Sequence, residues 1–222
     1  MVTRQLQEQL NQIDAWIRNC IPWDQKESTK MPVDYFPSRL GVRTVIREGR
    51  PEDIPQLIDG LASLSCESRT ARFFYDKHML SRDELARLAS PGEGRHLTRV
   101  AVISDGDCDG QIVGLARCVR VGATVPIADV GVVILDGWQR SGLGTQLVRE
   151  LRDAALRIGI THWRADFFAI NLGAKKLLGL VGREELRENL GAGIVRVMVR
   201  LVPDGADAGR RSQPVVSNSR VD

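Results

Sequence analysis

The segment from Gln139 to Thr145 reads Gln-Arg-Ser-Gly-Leu-Gly-Thr and follows a run of mostly β-branched residues, Val130 to Leu135. Apolar residues at helical spacing come after it, as far as Gly159, so the pattern predicts a strand, a glycine turn and the start of a helix. The first turn of a helix has backbone N–H groups without intrahelical partners and carries the positive end of the helix dipole. The segment therefore predicts a binding site for a phosphate or pyrophosphate group.

Two glycines and one arginine favour the binding of an anion by this segment. Gly142 and Gly144 have no Cβ, so the backbone can approach a pyrophosphate closely and adopt dihedral angles closed to other residues. Arg140 adds a fixed positive charge. A Walker loop fits worse, because the chain has no Gly-Lys pair. The dinucleotide fingerprint also fits worse, because Leu147 stands where that motif requires its third glycine.

Periodicity predicts the elements that hold this loop: one strand, two helices, three strands, a helix, a strand, a helix and a final strand. This is an α+β order with a mixed sheet. The predicted strands cover residues 42–47, 97–104, 112–121, 127–135, 161–168 and 193–202. The predicted helices cover residues 51–63, 68–74, 142–159 and 171–179. A capping box at Ser81 to Glu84 marks one more short helix.

The two ends of the chain differ in composition from this central domain, residues 41–202. Residues 1–40 carry one apolar helical stripe and then three prolines, which predicts an added helix and a linker. We expect that helix to pack on the domain, with a homodimer or partner contact as the alternative. Residues 203–222 are rich in Gly, Ser, Asp and Arg, and predict a disordered tail.

The composition argues against several classes of protein. A net charge of +3 and the lack of a basic tract with aromatics argue against a nucleic-acid partner. The sequence shows no apolar run long enough for a membrane span and no signal peptide, so we expect a cytoplasmic protein without a membrane partner. The four cysteines form no CxxC pair and the three histidines lie in separate segments, so we expect no metal site.

The glycine segment resembles motif A of the GNAT superfamily of acyl-CoA-dependent N-acyltransferases, whose pattern is Gln/Arg-x-x-Gly-x-Gly/Ala after a strand. Gln139, Gly142 and Gly144 occupy its defining positions. The resemblance spans roughly residues 43–201. It implies the GNAT fold, a mixed and largely antiparallel sheet of about six or seven strands flanked by helices.

Three segments are also similar to bacterial Pat-type protein lysine acetyltransferases. They are Ala128–Gln139, Arg50–Asp53 and Glu67–Phe74, and they occur in the expected order. This resemblance implies an N-acetyltransferase that moves acetyl from acetyl-CoA to an amine, with protein lysine favoured over a small amine. A rival hypothesis is a catalytically silent module that binds CoA esters as a sensor or assembles with a partner.

The resemblance assigns a donor site for acetyl-CoA. The thioester and pantetheine would lie beside the end of the strand, in the gap where it splays from the strand around Trp163, and a backbone N–H near Ile134 would stabilise the oxyanion. Ile134 is equally suited to plain core packing, and Asn171, a predicted cofactor contact, equally suits a helix N-cap. The predicted cofactor-binding residues are Val133, Ile134, Leu135, Gln139, Arg140, Ser141, Gly142, Leu143, Gly144, Thr145 and Asn171.

The resemblance also indicates the acceptor side. The Pat-type pattern has Glu where this chain has Asp129, which is then the candidate general base, with a turn or salt-bridge role as the alternative. Glu67, Arg72 and Phe74 are candidate substrate contacts, and solvated helix faces or core aromatics would explain them equally well. The family often places a Tyr on the next helix as an acid, but residues 172–181 contain none. The chemistry requires no metal.

Overall fold

The computed structural model describes residues 35–37, 42–81, 84–85, 95–105, 108–122 and 124–203. The predicted N-terminal helix, most of the linker and nearly all of the predicted tail lie outside these residues. The strands are β1 (Tyr35–Pro37), β2 (Arg43–Glu48), β3 (His96–Ile103), β4 (Ile112–Arg120), β5 (Ile127–Ile134), β6 (His162–Phe168), β7 (Gly182–Gly191) and β8 (Ile194–Leu201). The helices are α1 (Ile54–Ser63), α2 (Cys66–Phe73), α3 (Leu143–Arg157) and α4 (Leu172–Val181).

The strands form one sheet in the order β1-β2-β3-β4-β5-β6-β8-β7. Every pair is antiparallel except β5 and β6, which are parallel because α3 connects them. β1 is a three-residue edge strand, so the sheet has seven longer strands beside it. The predicted fold class, a mixed and largely antiparallel sheet flanked by helices, is confirmed.

The parallel pair β5 and β6 stays together over a short distance only. Ile127 to Asp129 pair with His162 to Arg164, and the two strands then separate. β5 continues along β4 as far as Ile134, while β6 continues along β8 as far as Phe168. The result is a V-shaped gap that opens toward the carboxyl ends of both strands, next to the start of α3.

Helices cover both faces of the sheet. Apolar side chains of α3 such as Leu147 and Leu151 pack with Ala116 and Trp163 in the main core, as the helical spacing predicts. α4 packs on the same face, where Leu178 meets Phe167 and its neighbours. On the other face, α1 contributes Leu57 to a cluster with Ile112. The sheet is thus the middle layer of three.

Two strands were not predicted. β1 lies in the predicted linker, and β7 lies where we expected no element. β7 is charged and almost wholly exposed, so its sequence lacks the alternation of a half-buried strand. Pairing with β8 nevertheless fixes it as an edge strand, which is tertiary context overriding local propensity. At Gly182 a Cβ would clash with the backbone of Arg200, so glycine permits this close pairing.

The acidic side chain of Glu84 closes the predicted capping box. Its carboxylate accepts a hydrogen bond from the Ser81 N–H at 2.8 Å, and the Glu84 N–H donates to Ser81 Oγ at 3.3 Å. Lys77 Nζ donates to the same carboxylate at 2.7 Å. Among the described residues, no cluster of metal-ligating side chains is present, and no helix is long and apolar enough to cross a membrane.

Candidate active site

The loop between β5 and α3 has the backbone of an anion site. Arg140 and Gly142 both have left-handed dihedral angles, with φ of 60° and 96°. In the described part of the chain, the backbone N–H groups of Arg140, Ser141, Gly142 and Gly144 have no hydrogen-bond acceptor. Four donors with unused capacity thus lie at the positive end of the α3 dipole. A non-glycine residue in the left-handed region is uncommon and clusters at functional sites.

The two motif glycines serve different purposes. A Cβ at Gly142 would meet nothing within 4 Å, so this position needs glycine for its φ of +96°. Gly144 has an ordinary helical position, and a Cβ there would lie 3.5 Å from Leu177 and 3.8 Å from Ile134, which are normal contacts. The protein itself therefore tolerates a methyl group at Gly144. This glycine borders the gap beside Ile134 and α4, where a ligand would approach.

The side chains of the loop hold its shape. Ser141 is buried, its Oγ donates to the Trp138 carbonyl at 2.6 Å, and the same oxygen accepts from the Leu143 N–H at 3.4 Å. Leu143 is buried in the main core. The Thr145 N–H donates to the Gly142 carbonyl at 3.0 Å. Arg140 is exposed, so it is the one charged side chain of this loop that faces solvent beside the free N–H groups.

The Gln139 side chain makes hydrogen bonds to other residues of the protein. Its Nε2 donates to Asp136 Oδ1 at 3.0 Å, to Ser68 Oγ at 3.0 Å and to the Ile134 carbonyl at 3.2 Å. Asp136 also accepts from Ser68 Oγ and, at 2.7 Å, from the Ser65 N–H. The Ser68 hydrogen bond is the main cause that lowers the pKa of Asp136 below its ordinary value. Gln139 and Asp136 thus tie the loop to the start of α2.

The end of β5 presents different groups to its two faces and to the gap. The Leu135 N–H donates to the Val113 carbonyl of β4. Because N–H groups alternate between the two edges of a strand, the Ile134 N–H points away from β4 and into the gap. The side chain of Ile134 packs against the main core, while Val133 and Leu135 line a cavity on the α1 face. Core packing is therefore realised for the Ile134 side chain, and the oxyanion role of its N–H group stays a prediction.

Asn171 caps α4. Its Oδ1 accepts a hydrogen bond from the Ala174 N–H at 3.0 Å, as an N-cap residue does. The N-cap alternative is therefore realised in the structure. Contact with the cofactor stays a prediction.

Asp129 lies at the apex of the gap, in the last paired position of β5 and β6. Its carboxylate accepts two hydrogen bonds from Arg164, from Nε at 2.5 Å and from Nη2 at 2.8 Å. The Asp129 hydrogen bond is the main cause that raises the pKa of Arg164. The salt-bridge alternative for Asp129 is thus present. Its role as general base stays a prediction.

The ion pair at the apex belongs to a row of charges that the sequence did not indicate. Arg196 of β8 donates two hydrogen bonds to Asp166 of β6, both at 2.8 Å. Asp166 follows Arg164 by two positions, so both side chains lie on one face of β6. The row Asp129, Arg164, Asp166 and Arg196 crosses three strands. The sequence feature that could have indicated this row is the spacing of two positions between Arg164 and Asp166.

The C-terminal end of α2 spans the gap. The Arg72 guanidinium lies against Gly131 of β5, where a Cβ would clash with it. The ring of Phe74, whose φ is 67°, meets Phe168 of β6 edge-on at 5.5 Å. The structure therefore brings these two candidate acceptor contacts together.

Glu67 does not join Arg72 and Phe74 at the gap. It is exposed in the first turn of α2, about 10 Å from Phe74 along the helix.

The sequence analysis did not identify Gly131 as a site residue, although a glycine inside a β-branched strand indicates that another group approaches the backbone closely.

Comparisons with known proteins agree with this geometry. The sequence matches the Acetyltransferase (GNAT) family over residues 64–180. The acetyltransferase Pat of Mycolicibacterium smegmatis is 27% identical over 171 residues, which are 77% of this chain and 49% of that protein. The chain therefore spans about half the length of this curated relative.

Solved structures share the fold. The GNAT domain of S. lividans PAT superposes with a TM-score of 0.66 at 22% identity, over 78% of this chain and all of that one. A cAMP-binding acyltransferase from Mycobacterium smegmatis has a TM-score of 0.53 at 22% identity, over 78% and 48% of the two chains. The protein yncA from Salmonella typhimurium, solved with its cofactor acetyl-CoA, has a TM-score of 0.55 at 16% identity, over 77% of this chain and 97% of that one.

The family match covers more than half of the chain, and the glycine loop, the V-shaped gap and α3 all lie within it. The chain therefore belongs to the GNAT acetyltransferase family.

Proposed function

We propose that this chain is an acyl-CoA-dependent N-acyltransferase that moves an acetyl group from acetyl-CoA to an amine, with a protein lysine as the favoured acceptor. One observation carries the proposal: a gap between parallel strands ends at a loop in which four backbone N–H groups have no acceptor among the described residues. The relationship to Pat supports the protein-lysine acceptor. A homodimer and a cytoplasmic location stay predictions.

The residues around the gap fit the parts of acetyl-CoA. The N–H groups of Ser141, Gly142 and Gly144, with Arg140, would hold the pyrophosphate. The pantetheine arm would lie in the gap, where the edge of β5 that faces β6 has no strand partner beyond Asp129 in the described part of the chain. Its amide groups can pair there with free backbone groups of β5, as an added strand would.

This chain's own groups would then act on the reacting atoms. Acetyl-CoA supplies an activated acetyl thioester. The Ile134 N–H faces the gap and would donate to the oxygen on which negative charge develops. Asp129, at the apex, would take the proton of the attacking amine directly or through water, once its hydrogen bonds to Arg164 loosen.

The rival from another class is a catalytically silent module that binds CoA esters as a sensor. Its support is the pairing of Asp129 with Arg164, together with the lack of Tyr in residues 172–181. A small-amine acetyltransferase is the other enzyme hypothesis. Nothing in the described residues favours it over the protein-lysine acceptor.

Ligand binding and turnover separate these hypotheses. We would measure the melting temperature with CoA and acetyl-CoA, and then free-thiol release with lysine peptides, lysine-bearing proteins and small amines. A ligand at 100 times its dissociation constant stabilises the folded protein by about 2.7 kcal/mol. Stabilisation with thiol release is the expected result. Stabilisation without release for any acceptor would favour the sensor, and no stabilisation would overturn the donor site.

A further inference from the structure

A cavity of about 150 Å³ lies between α1 and the sheet, on the face of β5 opposite α3. Most of its wall is apolar, and two guanidinium groups also line it, those of Arg72 on α2 and Arg117 on β4. The apolar lining includes Leu57, Leu61, Leu115, Val133 and Leu135. Because Val133 and Leu135 belong to the strand that borders the V-shaped gap, the cavity and the proposed thioester position share one wall.

Arg72 has hydrogen-bonding capacity that the described residues do not use. Its Nε is buried and has no hydrogen-bond partner among them. The wall has three other polar residues, and each has contacts of its own: Gln56, Glu84 and Arg117. Gln56 binds the Ile112 N–H at 2.9 Å and the Gly110 carbonyl at 3.3 Å, and Glu84 accepts from Lys77 at 2.7 Å.

Arg72 is also a cation in an apolar setting. Burial lowers the pKa of Arg72 below its ordinary value, and Glu84 opposes this through its charge. An arginine stays protonated in proteins despite such a shift. Among the described residues, no carboxylate lies within ion-pair distance of Arg72, and the Phe73 ring makes a cation–π contact with it, 5.1 Å from the guanidinium carbon. A partly buried charge without a direct ion-pair partner is costly, so an anionic ligand group would be favoured here.

The Arg72 guanidinium lies close to the position proposed for the thioester. It lies against Gly131, which precedes Ile134 by three positions, or about 10 Å along the strand. A group that extends from the thioester position toward the apex of the gap would therefore meet Arg72. An amine that approaches from the α2 side would pass it as well.

We propose that this cavity binds a carboxylate carried by one of the two substrates, with Arg72 as its cationic partner. The carboxylate would end the acyl chain of the donor, or it would belong to an acidic residue beside the acceptor lysine. This inference rests on the proposed function and extends it to substrate selection. Gly131 is then the residue that leaves room for the guanidinium.

Matched ligand pairs test the two sources separately. In the donor arm, calorimetry on the full chain compares succinyl-CoA with butyryl-CoA, which has an uncharged chain of the same length. In the acceptor arm, with acetyl-CoA as donor, KM is compared for a lysine peptide flanked by Glu and the same peptide flanked by Gln. A charge-assisted hydrogen bond predicts a preference of roughly tenfold to hundredfold for the carboxylate in one arm.

Three variants connect that preference to Arg72. Arg72→Met should reduce it to less than threefold, and Gly131→Ala should do the same because the new methyl group displaces the guanidinium. Arg187→Met is the matched control, since Arg187 pairs with Glu184 on the exposed edge strand β7 and should keep the preference. The melting temperature of each variant shows whether it is folded.

Each outcome decides something. A preference in the donor arm assigns the carboxylate to the acyl chain, and one in the acceptor arm assigns it to the acceptor. Equal values within both pairs for the unmodified protein overturn the inference but leave the acyltransferase proposal standing. A preference that survives in folded Arg72→Met also overturns it. Failure to bind any CoA ester overturns the proposed function and this inference together.

Discussion

The proposed pyrophosphate loop consists of consecutive residues, Gln139–Thr145, whereas the groups around the proposed amine site come from three elements. Arg72 belongs to α2, Asp129 to β5 and Arg164 to β6. The loop binds mainly through backbone N–H groups, and the amine site acts through charged side chains. A backbone site depends on local dihedral angles, so it can be recognised in a short motif. A side-chain site depends on which strands become neighbours.

The two regions are joined by one network. Asp136 and Gln139, which follow β5, bind Ser65 and Ser68 at the start of α2. The helix that carries Arg72 is therefore fixed to the loop that would hold the pyrophosphate. A substitution within one region should affect only that region, whereas a substitution in this hydrogen-bond network should affect both regions.

The strongest test of the amine site is Asp129→Asn. An amide cannot take a proton, so kcat should fall by about a hundredfold or more, while the dissociation constant of acetyl-CoA should change by less than about twofold. Steady-state kinetics and calorimetry measure the two quantities. Asp166→Asn is the matched control, because it breaks the neighbouring ion pair between β6 and Arg196 of β8 and leaves the Asp129 carboxylate in place. An equal loss in both variants would show that the charge row is structural.

The corresponding test of the loop compares its two glycines. Gly142→Ala forces a side chain into the left-handed region at a cost of about 1–2 kcal/mol, so acetyl-CoA should bind roughly tenfold more weakly. Gly144→Ala meets only ordinary contacts, and the family motif also accepts Ala at this position, so a change below about threefold is expected. Calorimetry with acetyl-CoA gives both values. The reverse order would contradict the roles assigned to the two glycines.

A third variant should destabilise the fold and leave both regions intact. Asp53, at the start of α1, is buried and accepts hydrogen bonds from Arg47 at 2.7 and 2.8 Å and from the Arg50 N–H at 2.8 Å. Asp53→Asn should lower the free energy of unfolding by about 2 kcal/mol, because it removes charge-assisted hydrogen bonds. Urea unfolding measures this. Glu184→Gln, in an exposed pair, should have a much smaller effect.

The same residue predicts a pH dependence. Burial would raise the pKa of Asp53, but the hydrogen bonds from Arg47 and Arg50 hold it below its ordinary value of 3.8. The unfolded chain therefore takes up the proton first, so the contribution of Asp53 to stability is complete above about pH 4 and is lost as the pH falls through its lower folded value. Urea unfolding at pH 3 and pH 6 should show a smaller pH effect in Asp53→Asn. An unchanged pH effect would contradict the assignment.

The smallest expected effect tests the link between the regions. Asp136→Asn keeps one acceptor but weakens the hydrogen bonds to Ser65 and Ser68. We expect a change of about threefold to fivefold in both the acetyl-CoA dissociation constant and the acceptor KM, equivalent to about 1 kcal/mol or less. Asp59→Asn on the exposed face of α1 is the control. A change in only one quantity would show that the network serves one region.

The sequence predictions are accurate where neighbouring residues determine the structure, and they fail where residues distant in the sequence determine it. α3 was predicted to within two residues at each end because its apolar spacing and Gly159 are local signals. β7 was missed because only its pairing with β8 makes its charged residues a strand. Likewise, Gly142 was recognisable as a conformational requirement, while the contact between Gly131 and Arg72 joins residues 59 positions apart.

The sequence by itself determined the order of elements from β2 to α4, the final strand β8 and the glycine loop at the start of α3. Hydrophobic period, turn residues and backbone freedom are encoded by neighbours along the chain, so these features need no fold to be recognised. The tertiary structure alone decided that Asp129 pairs with Arg164 at the apex of the gap and that Arg72 reaches the wall of a cavity. It also decided that the Gln139 side chain binds Ser68 and Asp136. Each of these depends on strand register and helix packing, which bring distant charges within hydrogen-bond range.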